Sequence, residues 1–128
     1  MATIIVKHVE GRKFETVVRN HKLQIDLPKE MKGEDAGPTP PEFFIVSFAS
    51  CIGMYVVLYC EHAHITPSGL QVKVDYVHLP DRIGKMVFEI SLPSAATEEY
   101  KKGALEWANK CTIHKTLNNL PEIIINIK

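Results

Sequence analysis

The feature that most constrains this chain is the uncharged segment from Phe43 to Cys60, which is 18 residues long. Its length is at the lower limit for crossing a bilayer. However, it contains Ser47 and Ser50 and lacks the Lys or Arg anchors that flank membrane helices. A helix that is apolar on every side is also typical of the fully buried central helix of a soluble protein. We therefore predict a long buried helix and no membrane partner.

Strand-like segments precede this helix. Three of them are rich in β-branched residues, at Thr3 to Val9, Phe14 to Val18 and Leu23 to Leu27. A loop with four Pro and two Gly, residues 28–41, follows. Thr39 and Glu42 have the spacing of a capping box, which predicts that the helix begins here and runs to about His62 or His64.

The remaining elements follow the helix. Leu70 to Tyr76 alternates apolar and polar residues, and Lys85 to Leu92 follows a turn, so both are predicted strands. An amphipathic helix opens at Thr97, and Glu122 to Ile127 is predicted to close the chain as a strand. This order indicates an α+β fold with antiparallel sheets around a long buried central helix. We expect a single domain, 1–128, with an N-terminal meander (1–27), a loop (28–41) and a core (42–128).

Composition limits the partners. The chain has 15 basic and 15 acidic side chains and no net charge, which argues against nucleic acid as a partner. A helix this apolar is hard to bury within a chain of 128 residues. Pairing with a second copy of the chain would cover it, and we therefore expect an obligate homodimer. The start of the chain has no export signal and its three cysteines are an odd set, which favours the cytoplasm and reduced thiols.

The cysteines are the main candidates for chemistry. Cys51 and Cys60 are nine residues apart on the predicted helix, about 13 Å along its axis and on opposite faces, so they cannot form a disulfide. Cys111 is free to approach the middle of the helix, and Cys51 with Cys111 is the pair worth proposing. Neighbouring Lys and His residues and a helix start are expected to favour a Cys111 thiolate. The alternative is that both are inert structural cysteines.

Two further patterns involve histidines. Cys60 and His64 have the spacing of metal ligands on one helix face, but no third ligand is visible, and we predict neither a metal nor a cofactor. Cys111 and His114 could form a couple for acyl transfer, as in a thioester hydrolase.

Two motifs around the cysteines resemble a known family. The run from Gly37 to Met54, with Gly-Pro-Thr-Pro-Pro-Glu followed by Ala-Ser-Cys, is similar to the first signature of the OsmC/Ohr family of osmotically induced and organic hydroperoxide resistance proteins. Cys111-Thr112-Ile113 corresponds to the second signature, which is normally Cys-Pro-Val. Thr112 replaces the usual proline, and the interval between Glu42 and Cys51 resembles the broad OsmC-like branch.

The resemblance implies an intertwined homodimer that acts as a thiol peroxidase on organic hydroperoxides and contributes to the oxidative stress response. Cys51 would attack the peroxide and become a sulfenic acid, and Cys111 would condense with it to a disulfide. Arg19 and Glu42 best match the arginine and glutamate of the family's site. Because Glu42 lies on the opposite side of the helix from Cys51, the Glu42 that serves a given Cys51 is expected to come from the second subunit. The reductant would be a dithiol, such as a lipoylated protein.

Two alternatives stay open at this point. One is a redox-inert homodimer that holds a hydrophobic ligand in its apolar interface. The other is the thioester hydrolase with Cys111 and His114 as its couple.

Overall fold

The computed structural model describes residues 1–92 and 96–128. These residues divide into two compact units, Met1–Phe44 and Ile45–Lys128. Over them the chain forms three strands, a short 3₁₀ helix at Lys29–Met31, a long α-helix, two strands and two further α-helices. Both sheets are antiparallel. The predicted α+β class is confirmed.

The first unit is built on a three-stranded meander. Its strands pair antiparallel in the order β1-β2-β3, with a bulge in β1 between His8 and Glu10. The strands are β1 Val6–Glu10, β2 Lys13–Val18 and β3 His21–Ile25. The first strand therefore begins three residues later than the predicted Thr3, and the third ends at Ile25 rather than Leu27.

Asp26 organises the loop after β3. Its side chain is buried, and it accepts hydrogen bonds from the backbone N–H groups of Leu27 at 2.8 Å, Glu34 at 3.1 Å and Ala36 at 3.1 Å. Burial by itself raises the pKa of this carboxyl group, but the three N–H donors outweigh it and hold the pKa below its ordinary value. The Pro- and Gly-rich loop is thus ordered around one carboxylate.

The long helix, α1, spans Pro40–His62. It ends in a Schellman motif, in which Ile65 N–H donates to the Cys60 carbonyl at 2.8 Å and His64 N–H donates to the Glu61 carbonyl at 3.3 Å. His64 has φ 58°, the left-handed conformation that this motif requires. The helix therefore stops at the earlier of the two predicted ends.

Helix α1 is buried along one face rather than all round. Its buried residues recur every three or four positions, at Ile45, Phe48, Ile52, Val56, Tyr59 and Cys60. Other faces stay open, with Val46 60%, Met54 66% and Leu58 46% exposed. By length and composition α1 could cross a membrane, but the core helix of a soluble protein passes the same test, and 33% of its most apolar window is buried. The α+β architecture is of the soluble type.

The second unit packs a hairpin and two helices with α1. Phe48 of α1 meets Phe88 with their ring centroids 4.5 Å apart, and Tyr59 meets Trp107 at 6.1 Å. Thr97 caps the second helix by accepting a hydrogen bond from Tyr100 N–H, as predicted. The elements are β4 Gln71–His78, β5 Ile83–Ser91, α2 Glu98–Ala108 and α3 Thr112–Asn118.

Two features of the C-terminal part differ from the predicted order. The structure has a third α-helix, α3, which the predicted order of elements does not include, although a helix start at Cys111 is expected from the sequence. The predicted strand from Glu122 to Ile127 is wrong, because in the described chain this segment has no strand structure and Ile125 and Ile127 are 86% and 97% exposed. A strand needs a neighbour for its backbone hydrogen bonds, and the two sheets consist of β1-β2-β3 and β4-β5 only, over the residues described.

Candidate active site

Cys51 lies where helix α3 begins. It is half-buried on α1, and Cys111 occupies the N-cap position of α3. The Cys51 sulfur accepts hydrogen bonds from the thiol of Cys111 and from the backbone N–H groups of Thr112 and Ile113. Three consecutive residues of one turn therefore point donors at one sulfur atom. The three cysteines are free thiols.

These contacts give the two cysteines opposite acidities. Burial raises the pKa of the Cys51 thiol, but the N–H of Ile113, the Cys111 thiol and the N–H of Thr112 outweigh it, so the pKa is lowered overall. Burial raises the pKa of Cys111, and so does the hydrogen bond that its thiol donates to Cys51. At a given pH, Cys51 is therefore the better nucleophile of the pair.

The expectation that Cys111 favours its thiolate is wrong. Cys111 is fully buried, and the Cys51 sulfur that it faces would repel a second negative charge. Lys110, which was expected to help, lies over the Trp107 ring, 3.9 Å from its centroid. His114 has its ring 5.7 Å from that of Phe48, and its backbone N–H only partly offsets the burial of Cys111.

Cys60 belongs to the apolar core. It is 1% exposed, and burial raises its pKa. The proposed spacing of Cys60 and His64 on one helix face is not realised, because α1 ends at His62 and His64 follows in a left-handed conformation. Among residues 1–92 and 96–128, no three His, Cys, Asp or Glu side chains are grouped as metal ligands would be.

Glu42 forms the predicted capping box with Thr39. Thr39 N–H donates to Glu42 Oε1 at 2.9 Å, and Glu42 N–H donates to Thr39 Oγ1 at 3.3 Å. The hydrogen bond from Thr39 N–H lowers the pKa of the Glu42 carboxyl group. Glu42 is exposed and belongs to the first unit. Its capping function is thus established by geometry, and its catalytic function stays a prediction.

Arg19 lies in the two-residue turn between β2 and β3, as predicted. It is exposed, and its φ of 55° is in the left-handed region. It too belongs to the first unit, so its role at Cys51 stays a prediction. Arg12 and Arg82 are the other two arginines of the chain, and Arg82 has its guanidinium 2.8 Å from the Asp81 carboxylate.

The two helices that carry the cysteines also share a contact that the sequence does not predict. Tyr55 Oη and Thr112 Oγ1 share a hydrogen bond at 3.2 Å. A weak signal was present, because Tyr55 is four residues after Cys51 and therefore on the same helix face. Nothing in the sequence by itself pairs Tyr55 with Thr112.

The second unit contains a cavity of about 490 Å³. Ile52, the neighbour of Cys51, lines it together with Phe48, Phe88 and Leu117, and His114 adds a polar group. Such a mainly apolar cleft with a polar group suits a small organic molecule.

Comparison with known proteins identifies the family. Residues 33–126 match the OsmC-like protein family. The chain belongs to the OsmC-like family. The match covers both cysteines of the pair as well as Glu42. No curated protein is significantly similar to the sequence.

Solved structures of OsmC-like proteins have the same fold. A protein from Psychrobacter arcticus, assigned as an osmotic stress induced and detoxification response protein, superposes with a TM-score of 0.82 at 19% identity, over 91% of this chain and 88% of that one. An OsmC like protein from Mycoplasma pneumoniae gives 0.77 at 17%, over 92% and 87%. An organic hydroperoxide resistance protein from Legionella pneumophila gives 0.58 at 17%, over 91% and 90%. At these identities the structures establish the fold alone.

Proposed function

We propose that this OsmC-like protein is a thiol-dependent peroxidase that reduces organic hydroperoxides. The observation that carries the proposal is the Cys51 sulfur, half-buried, with a lowered pKa and with the Cys111 thiol hydrogen-bonded to it. A thiolate nucleophile with a second cysteine in contact is the arrangement that a two-cysteine peroxidase needs. The organic hydroperoxide resistance protein among the similar structures agrees with this reaction class.

The first step takes place at Cys51. Its thiolate attacks one oxygen of the peroxide ROOH, the O–O bond breaks, and RO⁻ leaves and takes up a proton to become ROH. Cys51 is oxidised to a sulfenic acid. The apolar cavity lined by Ile52 and Phe48 would hold the organic group R, which favours organic hydroperoxides over hydrogen peroxide.

The second step joins the two cysteines. The sulfur of Cys111 attacks the Cys51 sulfenic acid, an S–S bond forms, and hydroxide leaves and takes the Cys111 proton to become water. Because Cys111 is already hydrogen-bonded to Cys51, this step competes well with further oxidation. A dithiol, such as a lipoylated protein, then reduces the disulfide and is itself oxidised to a disulfide. We place the protein in the cytoplasm, where such reductants keep thiols reduced.

We further propose a homodimer in which Arg19 and Glu42 complete the site. Apolar side chains left open in the single chain support a partner copy. They lie on α1 and on the C-terminal segment, at Val46, Met54, Leu58, Ile123, Ile124, Ile125 and Ile127. In this proposal the Arg19 guanidinium stabilises the thiolate and orients the peroxide, and Glu42 orients the guanidinium.

Mixed dimers test the composite site. Subunits with Cys51→Ser are combined with subunits with Glu42→Ala. If each site uses Glu42 of the other subunit, one site per mixed dimer keeps both groups, and about half of wild-type activity returns. Verified mixed dimers without recovery would mean that Glu42 serves only its own chain or only caps α1.

The two alternatives are less well supported. A thioester hydrolase would need Cys111 as its nucleophile, yet Cys111 is fully buried and its pKa is raised. A redox-inert ligand-binding dimer would explain the apolar cavity, but it gives no reason for three donors around the Cys51 sulfur.

Steady-state reduction of cumene hydroperoxide with a dithiol reductant tests the proposal. Wild type should consume the peroxide, and Cys51→Ser should abolish this activity. Cys60→Ala is the matched control, because Cys60 lies in the core, and its activity should equal that of wild type. Peroxide consumption by Cys51→Ser at the wild-type rate would refute the assignment of the nucleophile.

A further inference from the structure

Tyr55 and Thr112 link the two helices that carry the cysteines. Tyr55 lies one turn after Cys51 on α1, and Thr112 directly follows Cys111 at the start of α3. Their hydroxyl groups share a hydrogen bond at 3.2 Å. Residues four apart lie on one face of a helix, so Tyr55 meets α3 on the side where Cys51 does. Each end of this hydrogen bond is therefore next to one cysteine of the pair.

Thr112 has a second contact, because its backbone N–H donates to the Cys51 sulfur. The same residue is thus held to α1 by its hydroxyl group and touches Cys51 with its N–H. The Cys111 thiol and the Ile113 N–H, the other two donors to this sulfur, lie on the adjacent residues. A shift of Thr112 away from Tyr55 would draw all three donors away from Cys51 together.

We propose that Tyr55 is a positioning residue that holds Thr112, and with it the first turn of α3, against α1. The Cys111 thiol then stays in contact with the Cys51 sulfur, with which it forms the proposed disulfide. This inference rests on the proposed two-cysteine chemistry. Tyr55 is half-buried and Thr112 is exposed, so the bond competes with water. A single hydrogen bond of this kind changes an equilibrium about two- to tenfold.

The test is the equilibrium between the protein dithiol and glutathione. In it the Cys51–Cys111 disulfide and two reduced glutathione molecules give the protein dithiol and oxidised glutathione. Tyr55→Phe and Thr112→Val should each shift this equilibrium toward the dithiol about two- to tenfold. The double variant should match either single variant, because both remove the same bond. Thr112→Ser keeps the hydroxyl group and should restore the wild-type equilibrium.

Thr112→Pro adds a second comparison. Proline is well accepted at the first position of a helix, so α3 should still form. It lacks both the hydroxyl group that meets Tyr55 and the N–H that meets Cys51. We expect a smaller shift toward the dithiol than in Thr112→Val, because the lost N–H stabilises the Cys51 thiolate, which belongs to the dithiol form. Alkylation of Cys51 by iodoacetamide at neutral pH should also be slower than in Thr112→Val, since the thiolate loses a donor.

Two matched controls remove hydroxyl groups that do not join the helices. Thr116 Oγ1 donates to the Thr112 carbonyl at 2.8 Å within α3, and Tyr76 is exposed on β4. Thr116→Val and Tyr76→Phe should keep the wild-type equilibrium. The melting temperature of each variant is measured in parallel.

Two results would overturn the inference. One is a Tyr55→Phe variant with the wild-type thiol equilibrium; if its melting temperature is lowered at the same time, the bond is purely structural. The other is a double variant whose effect equals the product of the two single effects. The thiol equilibrium is measured without peroxide and therefore does not depend on peroxidase activity. If the proposed peroxidase function is wrong, the wild-type protein will reduce no hydroperoxide in the separate activity assay.

Discussion

Replacing Cys111 in two ways separates its hydrogen bond to Cys51 from the redox chemistry that we propose for it. Alanine removes both the thiol proposed to form the disulfide and a donor to the Cys51 sulfur, whereas serine removes the thiol and keeps a donor at nearly the same place. A hydrogen bond to a charged group contributes about 1.5–3 kcal/mol. Because Cys51 is half-exposed, we use the lower limit, which corresponds to about a tenfold difference in thiolate population at neutral pH.

The assay is the pH dependence of alkylation of Cys51 by iodoacetamide, with Cys60 replaced by alanine so that one thiol reacts. Below the pKa of Cys51, the Cys111→Ala protein should react about tenfold more slowly than Cys111→Ser, and the two rates should converge at high pH. Losing a donor raises the pKa of Cys51 and leaves less thiolate, which is why Cys111→Ala should be the slower variant. Superimposable profiles for the two variants would refute the claim that the Cys111 thiol stabilises the Cys51 thiolate.

Three other predictions concern stability. In Gly103→Ala the new methyl group would overlap the Tyr59 side chain, and this overpacking should outweigh the helix preference of alanine. We expect the free energy of unfolding, measured by urea titration, to fall by about 1–2 kcal/mol, and a gain in stability would contradict this packing. Folding lowers the pKa of Asp26, so this carboxylate stabilises the protein above its unfolded-state pKa, and the stabilisation is lost as the pH falls through its folded-state pKa. Asp26→Asn should therefore lower the melting temperature at pH 7 and make the melting temperature depend less on acid pH, and an unaltered acid dependence would show that the Asp26 carboxylate does not cause it. Thr39→Ala should cost about 1 kcal/mol by urea titration because it breaks the box with Glu42, and a cost near zero would show that this cap contributes little.

Much of the fold could be predicted because its signals are local. Thr39 and Glu42 are three residues apart, so the capping box and the start of α1 could be located from the sequence. Thr97 marked the start of α2 in the same way. The turn at Arg19 separates two β-branched runs, which located the β2–β3 hairpin.

What could not be predicted depends on contacts between distant parts of the chain. The acidity of Cys111 was misjudged because its sequence neighbours Lys110 and His114 suggested a positive environment, whereas the Cys51 sulfur, 60 residues earlier in the chain, and burial dominate. The contact of Tyr55 with Thr112 is equally non-local. The segment from Glu122 to Ile127 has a strand-like composition, but composition does not supply a strand to pair with.

In the proposed reaction Cys51 and Cys111 carry out one two-electron cycle. This is tested by the intact mass and peptide map of the reduced protein after one equivalent of cumene hydroperoxide. We expect a product two hydrogen atoms lighter, with a Cys51–Cys111 disulfide, and a Cys111→Ser variant that instead retains one oxygen atom on Cys51. Unchanged mass in wild type, or a disulfide that includes Cys60, would contradict it.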